Sequence, residues 1–155
     1  MPSKLTEQKA VTIYTQILRN IVEKEMGDQT TYQNELDKCA RKFLGVHFKG
    51  VYASDLIPVL NGVKRYAIVN LDRSTQAGSH WIALAYHNNK VYVYDSFGRQ
   101  STKIIPSLWT SGNVSTIVDA QHDAEQDMSE QDCGQRSLAW LMFFDKWGAS
   151  NAILI

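Results

Sequence analysis

The sequence predicts an α+β domain, with helices first, a sheet in the middle and a helix near the end. Three observations predict it. Tyr66–Leu71, Trp81–Tyr86 and Val91–Tyr94 are apolar runs of strand length, the last two joined across Asn88-Asn89. Apolar residues recur at helical spacing in Leu5–Met26, in Thr30–Leu44 and again beyond Cys133. The chain also changes character abruptly at Cys133, polar and acidic before it, apolar and helical after it.

With 155 residues, 44% of them apolar, the chain is sized for one domain with a real core. The expected organisation is a single domain over residues 1–155 with an N-terminal helical extension at about 1–27. Sixteen basic residues balance sixteen acidic ones, so no overall charge pulls the protein toward nucleic acid or a membrane surface. No apolar run reaches transmembrane length. The opening Met1-Pro2-Ser3-Lys4 lacks the apolar core of a secretory signal. The two cysteines, Cys39 and Cys133, form neither a CxxC pair nor a disulfide framework. Together these features imply a reducing, intracellular location, and no motif asks for a metal or a cofactor.

In chain order, Leu5–Met26 carries a stripe of Tyr14, Ile17, Leu18, Ile21 and Val22, with Gly27 as its stop. The stripe either docks on the domain's own core or offers a partner or dimer contact. Thr30–Leu44 is a second helix, capped by Thr30 or Thr31 and ended by Gly45, with Cys39 on its apolar face as a core residue. Val46–Val51 reads as a short strand, and Ser54-Asp55 as the cap of a short helix through Leu60. Tyr66–Leu71 reads as a strand covered on both faces. A polar loop over residues 72–79 leads to Trp81–Tyr86, a tight turn at Asn88-Asn89, and the returning strand Val91–Tyr94. Thr102–Trp109 is helical, shortened by Pro106. Val114–Val118 is a last strand, Asp119–Asp132 a loop with six acids in fourteen residues, and Gly148 the end of the final helix.

Two features carry chemistry. The first is Cys133 at the start of a buried helix, where unpaired N–H groups favour negative charge and the thiolate is the nucleophilic form. Gly134 beside it leaves room for a substrate backbone. The second is the hairpin. Counting outward from 88–89, His80 and Asp95 fall almost opposite one another, bringing an imidazole within reach of a carboxylate. Cys133 is then the nucleophile, His80 its base and later the acid for the leaving amine, and Asp95 the orienter of the ring. Gln126, seven residues before Cys133, supplies an amide to the oxyanion together with the Cys133 backbone N–H. Each residue has a plainer reading: Cys133 as a small core residue, His80 and Gln126 as surface polar groups, and Asp95 as a turn residue. The acidic run ahead of Cys133 opposes thiolate formation.

The motifs Ala67-Ile-Val-Asn70, Gly78-Ser-His-Trp81, Tyr94-Asp-Ser-Phe-Gly98, Gln126 and Asp132-Cys-Gly134 occur in the order His, Asp, Gln, Cys. In that order the chain resembles the adenovirus-type cysteine proteases and, more distantly, the proteases of SUMO and ubiquitin-like proteins. Phe43-Leu-Gly45 also resembles that family's early segment, and the likeness runs over roughly residues 43–147. It implies a papain-like α+β fold in circularly permuted order, with a central mixed sheet and the nucleophile at the N-terminus of a buried helix. It implies His80, Asp95 and Cys133 as the triad, Gln126 in the oxyanion hole, and Trp81 walling a narrow channel. The resemblance further implies cleavage after glycine, in Gly-Gly-like or Gly-X-Gly-like contexts, during maturation of viral or transposon precursors in the host cytoplasm, nucleus or virion. The partners so implied are protein or polyprotein substrates. The chain departs from the family in its Leu5–Met26 helix and in having no cysteine between Asp95 and Cys133 to take an activating peptide, so neither that peptide nor DNA is carried over. The rival functions are an isopeptidase of ubiquitin-like modifiers, an acyltransferase, and a non-catalytic binding module.

Overall fold

The structure is a computed structural model that describes residues 3–29, 32–71, 80–110, 116–120 and 132–155. The first helix, α1 (Glu7–Ile21), is capped by Thr6, whose hydroxyl accepts the Lys9 N–H at 3.2 Å. It runs on into a π-helical turn, Val22–Met26, and stops at Gly27 as its sequence predicts. Helix α2 (Gln33–Leu44) ends at Gly45. Its expected caps, Thr30 and Thr31, lie outside the described residues.

Five strands follow: β1 (Phe48–Ala53), β2 (Lys64–Asn70), β3 (Trp81–His87), β4 (Lys90–Tyr94) and β5 (Thr116–Asp119). They form one mixed sheet in chain order, with β1 parallel to β2, β3 antiparallel to both β2 and β4, and β5 parallel to β4. The sheet is covered on both faces, and side-chain alternation divides its core in two. Tyr66, Ile68, Ala83, Ala85, Tyr92 and Tyr94 face the large helical cluster. Ala67, Val69, Ile82, Leu84, Val91 and Val93 face a smaller one with Leu60, Ile105 and Leu108.

The helix expected over residues 54–60 does not form. Ser54 and Asp55 make a turn, closed by the Leu56 N–H on the Ala53 carbonyl at 3.0 Å, and residues 56–60 are irregular. Pro58 explains the difference, because it lacks an N–H and pushes Ile57 out of helical geometry. Pro106, expected to shorten a single helix, instead divides its segment into α3 (Ser101–Ile104) and α4 (Pro106–Thr110), opening the second at the position where proline is favoured.

The last long helix, α5 (Cys133–Trp147), packs on β3 and carries α1 and α2 on its other sides. Trp140 is fully buried and stacks on Tyr94 of β4, ring centroids 5.4 Å apart at 9°. The Tyr94 hydroxyl meets that of Tyr14 on α1 at 2.8 Å. The apolar stripe of α1 is thus used inside the chain. Gly148, at φ 82°, ends α5 with its N–H on the Phe144 carbonyl, a left-handed conformation that favours glycine. A short helix, α6 (Ala149–Ala152), follows where the sequence carried no signal. Asn151 explains it: its amide donates to the Trp147 and Ser3 carbonyls at 2.7 and 3.0 Å and its oxygen accepts the Leu5 N–H at 2.8 Å. One buried side chain joins both ends of the described chain.

Candidate active site

The hairpin places two of the site's residues. Asn88 and Asn89 both have positive φ, 51° and 62°, and His87 pairs with Lys90 around them, giving the two-residue turn whose twist suits adjoining strands. The ladder ends at Ala83 opposite Tyr94. Continued outward, that register puts Asp95 opposite Ile82 and His80 opposite Phe97, two positions off the near-pairing of 80 with 95 that the sequence suggested. The side chains close the offset. His80 Nε2 lies 2.7 Å from Asp95 Oδ1, and the imidazole lies flat on the Phe97 ring, centroids 4.2 Å apart at 11°.

Asp95 is held from three directions. Its Oδ1 also accepts the Phe97 N–H at 3.0 Å, and its Oδ2 accepts Arg99 Nε at 2.7 Å. The carboxylate side chain is 1% exposed. Burial opposes its charge, yet hydrogen bonds from His80, Arg99 and the Phe97 N–H outweigh burial and hold its pKa below the usual carboxylate range.

Cys133 is the first residue of α5, and its sulfur accepts the backbone N–H of Trp81 at 3.4 Å. One turn further, Ser137 Oγ donates to the Trp81 carbonyl at 3.1 Å, so both backbone groups of Trp81 face the start of α5. Burial also opposes a charge on His80, but hydrogen bonds to Asp95 and to the Cys133 sulfur reverse that effect and raise its pKa. With Nε2 on Asp95, Nδ1 is the nitrogen left for the sulfur. The structure therefore brings His80, Asp95 and Cys133 together, each buried to within 5–7% of full cover.

The acid immediately before the cysteine has a partner. Asp132 Oδ1 accepts Arg136 Nε at 2.9 Å, with both side chains largely buried. Burial disfavours the guanidinium charge, but Tyr14 and Asp132 more than compensate and raise its pKa. The remaining acids between residues 121 and 131, and Gln126 with them, lie outside the described residues. The Trp81 side chain sits beside the site with 6% of its surface exposed and belongs to the cluster under α5. Cys39, in contrast, is a core residue of α2, and burial pushes its thiol up to about 11.

Sequence reasoning missed four contributors: Phe97, Arg99, Gln135 and Arg136. Arg99 stands four residues after Asp95, a spacing with no meaning outside a helix. Gln135 is fully buried in the first turn of α5 and donates to the carbonyls of Gly27 and Gln29, both at 2.8 Å. No periodicity marks it, because its partners lie over a hundred residues earlier.

An oriented imidazole, a buried acid and a helix-start thiol on an α+β scaffold have the constitution of a cysteine peptidase. The family model described as adenovirus endoprotease matches residues 48–113, a stretch that carries β1 to β4, His80 and Asp95. Over it the chain is similar to the adenovirus endoproteases, viral cysteine endopeptidases, as its motifs implied. The match stops before Gln126 and Cys133. A search of curated proteins found no match.

Proposed function

We propose that the protein is a cysteine endopeptidase in which Cys133 is the nucleophile, His80 the proton carrier and Asp95 the orienter of the imidazole. The observation that carries this reading is the 2.7 Å contact of Asp95 with His80 Nε2, beside a Cys133 sulfur that accepts the N–H of the next residue, Trp81, at 3.4 Å. His80 takes the proton of the Cys133 thiol. The sulfur attacks the scissile carbonyl, and the new C–S bond places the carbonyl electrons on oxygen. The Cys133 backbone N–H and the Gln126 amide stabilise that oxyanion. His80 gives its proton to the departing amine as the C–N bond breaks. It then takes a proton from water as that water attacks the thioester, and returns it to the sulfur as the C–S bond breaks and the acid leaves.

Glycine before the cut is what the resemblance to the adenovirus-type proteases implies, with Trp81, whose N–H lies against the sulfur, as the wall of a narrow channel. On the same resemblance the substrates are viral or transposon precursors with Gly-Gly-like or Gly-X-Gly-like sites, cut inside the infected cell or the virion.

The test is a panel of Gly-Gly peptides offered to the wild type and to Cys133→Ala. Loss of cleavage with unchanged thermal unfolding is expected. Retained cleavage overturns the nucleophile assignment.

A further inference from the structure

We propose that Arg99 is a positioning residue for this site, which acts on the imidazole by fixing the rotation of the Asp95 carboxylate. The proposal rests on the reading of His80 as the proton carrier.

A carboxylate at the end of a short side chain can turn about its last bond, and only some rotations offer an oxygen to the ring. Three donors remove that freedom here. Arg99 Nε takes Oδ2 at 2.7 Å, while His80 Nε2 and the Phe97 N–H share Oδ1 at 2.7 and 3.0 Å. Without Arg99, Oδ2 of a buried carboxylate loses its charged donor, and nothing on that side holds the carboxylate in the one rotation that aims Oδ1 at the ring. The guanidinium is itself located by Phe97, with its central carbon 5.1 Å from the ring centroid, and that same ring carries His80 at 4.2 Å. Phe97 thus sets the height of both cations relative to the carboxylate between them.

Arg99 also carries a positive charge, and a direct effect of that charge would lower the His80 pKa. Geometry decides against that route. The Arg99 side chain is 41% exposed, so its charge is screened by water. The Asp95 side chain is 1% exposed, so its contact with the ring is not. Among the described residues, the titratable groups that act on His80 are Asp95, after β4, and Cys133, on α5. Losing the Asp95 alignment therefore outweighs losing the guanidinium charge, and the His80 pKa falls.

The experiment is an NMR titration of the His80 ring, labelled at Cε1, in the full chain, and needs no knowledge of the substrate. Arg99→Met keeps the stem over Phe97 and drops the donors and the charge. Arg99→Lys keeps one donor and the charge. The expected result is a His80 pKa lowered by about half a unit or more in Arg99→Met, a shift above ~0.7 kcal/mol. Arg99→Lys restores most of it. On an Asp95→Asn background, removing Arg99 changes nothing further, because two residues acting through one contact are not additive. An unshifted titration in Arg99→Met, or an equal shift with Asp95 already replaced, overturns the proposal. Circular dichroism confirms that each variant is folded, and the exposed position of Arg99 makes that the expected result. The outcomes separate from the peptidase reading: cleavage surviving in Cys133→Ala overturns that reading while leaving the titration result intact.

Discussion

Replacing Asp95 by Asn tests the electrostatics of the site through stability alone. The substitution keeps shape and removes charge. Asn offers one acceptor oxygen, so either His80 and the Phe97 N–H or Arg99 is satisfied, while its NH2 faces the remaining donor. A hydrogen bond to a charged group is worth about 1.5–3 kcal/mol, and breaking a buried ion pair from one side costs about 3–5 kcal/mol. Because two of the three contacts can be kept in part, the lower figure applies, about 3 kcal/mol. At this chain length that lowers the Tm by about 6–12 °C.

The pH dependence carries the sharper test. The His80 pKa is raised, so its contribution is complete below the ordinary histidine value of about 6.5 and is lost as pH rises through the raised value. The Asp95 pKa is lowered, so its contribution is present above the ordinary value of about 3.9 and is lost as pH falls through the lowered one. The gap between wild type and Asp95→Asn is therefore widest between those two ordinary values. It narrows by about 1 kcal/mol as pH rises through the raised His80 value, above which a neutral ring keeps the hydrogen bond but not the charge. Urea unfolding of both proteins at pH 5.5 and pH 9 measures it. A gap that stays constant or widens toward pH 9 refutes the reasoning.

Three further outcomes are expected. Gln135→Ala removes both donors that tie the carbonyls of Gly27 and Gln29 to the start of α5, and urea unfolding should show a loss of about 2 kcal/mol; a loss under about 0.5 kcal/mol would mean the tie is not needed. Iodoacetamide at neutral pH should label Cys133 well before Cys39, whose thiol burial pushes to about 11, and peptide mapping by mass spectrometry reads the order directly. Trp81→Phe, which trims the ring beside the sulfur, should admit alanine before the cut in a peptide library, whereas an unchanged glycine preference removes the indole from the specificity argument.

How much of this was legible in advance depended on the range of the interaction. The apolar runs at 66–71, 81–86 and 91–94 marked strands because residues buried on both faces have no polar positions to alternate. The pair Asn88-Asn89 marked the turn because both positions take positive φ. Pro106 marked a shortened helix where the structure has two, and at Pro58 a helix was expected where none forms. The expected hairpin register was off by two positions, although a count outward from Asn88-Asn89 with His87 opposite Lys90 itself puts His80 opposite Phe97. His80 and Asp95 still meet because their side chains are long enough to close that offset. The proposed oxyanion role of Gln126 rests on the sequence alone, since that residue lies outside the described segments.

By itself, the amino-acid order determined which residues are strand, turn and helix near the site, and hence that a histidine, an aspartate and a helix-start cysteine could be neighbours. Those features are local: they depend on side-chain period, turn conformation and the abrupt onset of an apolar helix at Cys133. Only the tertiary structure decided that Arg99 and the Phe97 N–H hold the carboxylate, that Phe97 carries the imidazole, that Arg136 pairs with Asp132, and that Gln135 ties the end of the first helical segment to the start of α5. The Gln135 tie and the stacking of His80 on Phe97 join segments that packing alone brings together, so no pattern along the chain records them, whereas the contacts of Asp95 with Arg99 and the Phe97 N–H and of Asp132 with Arg136 are local spacings whose side-chain orientation the fold decides.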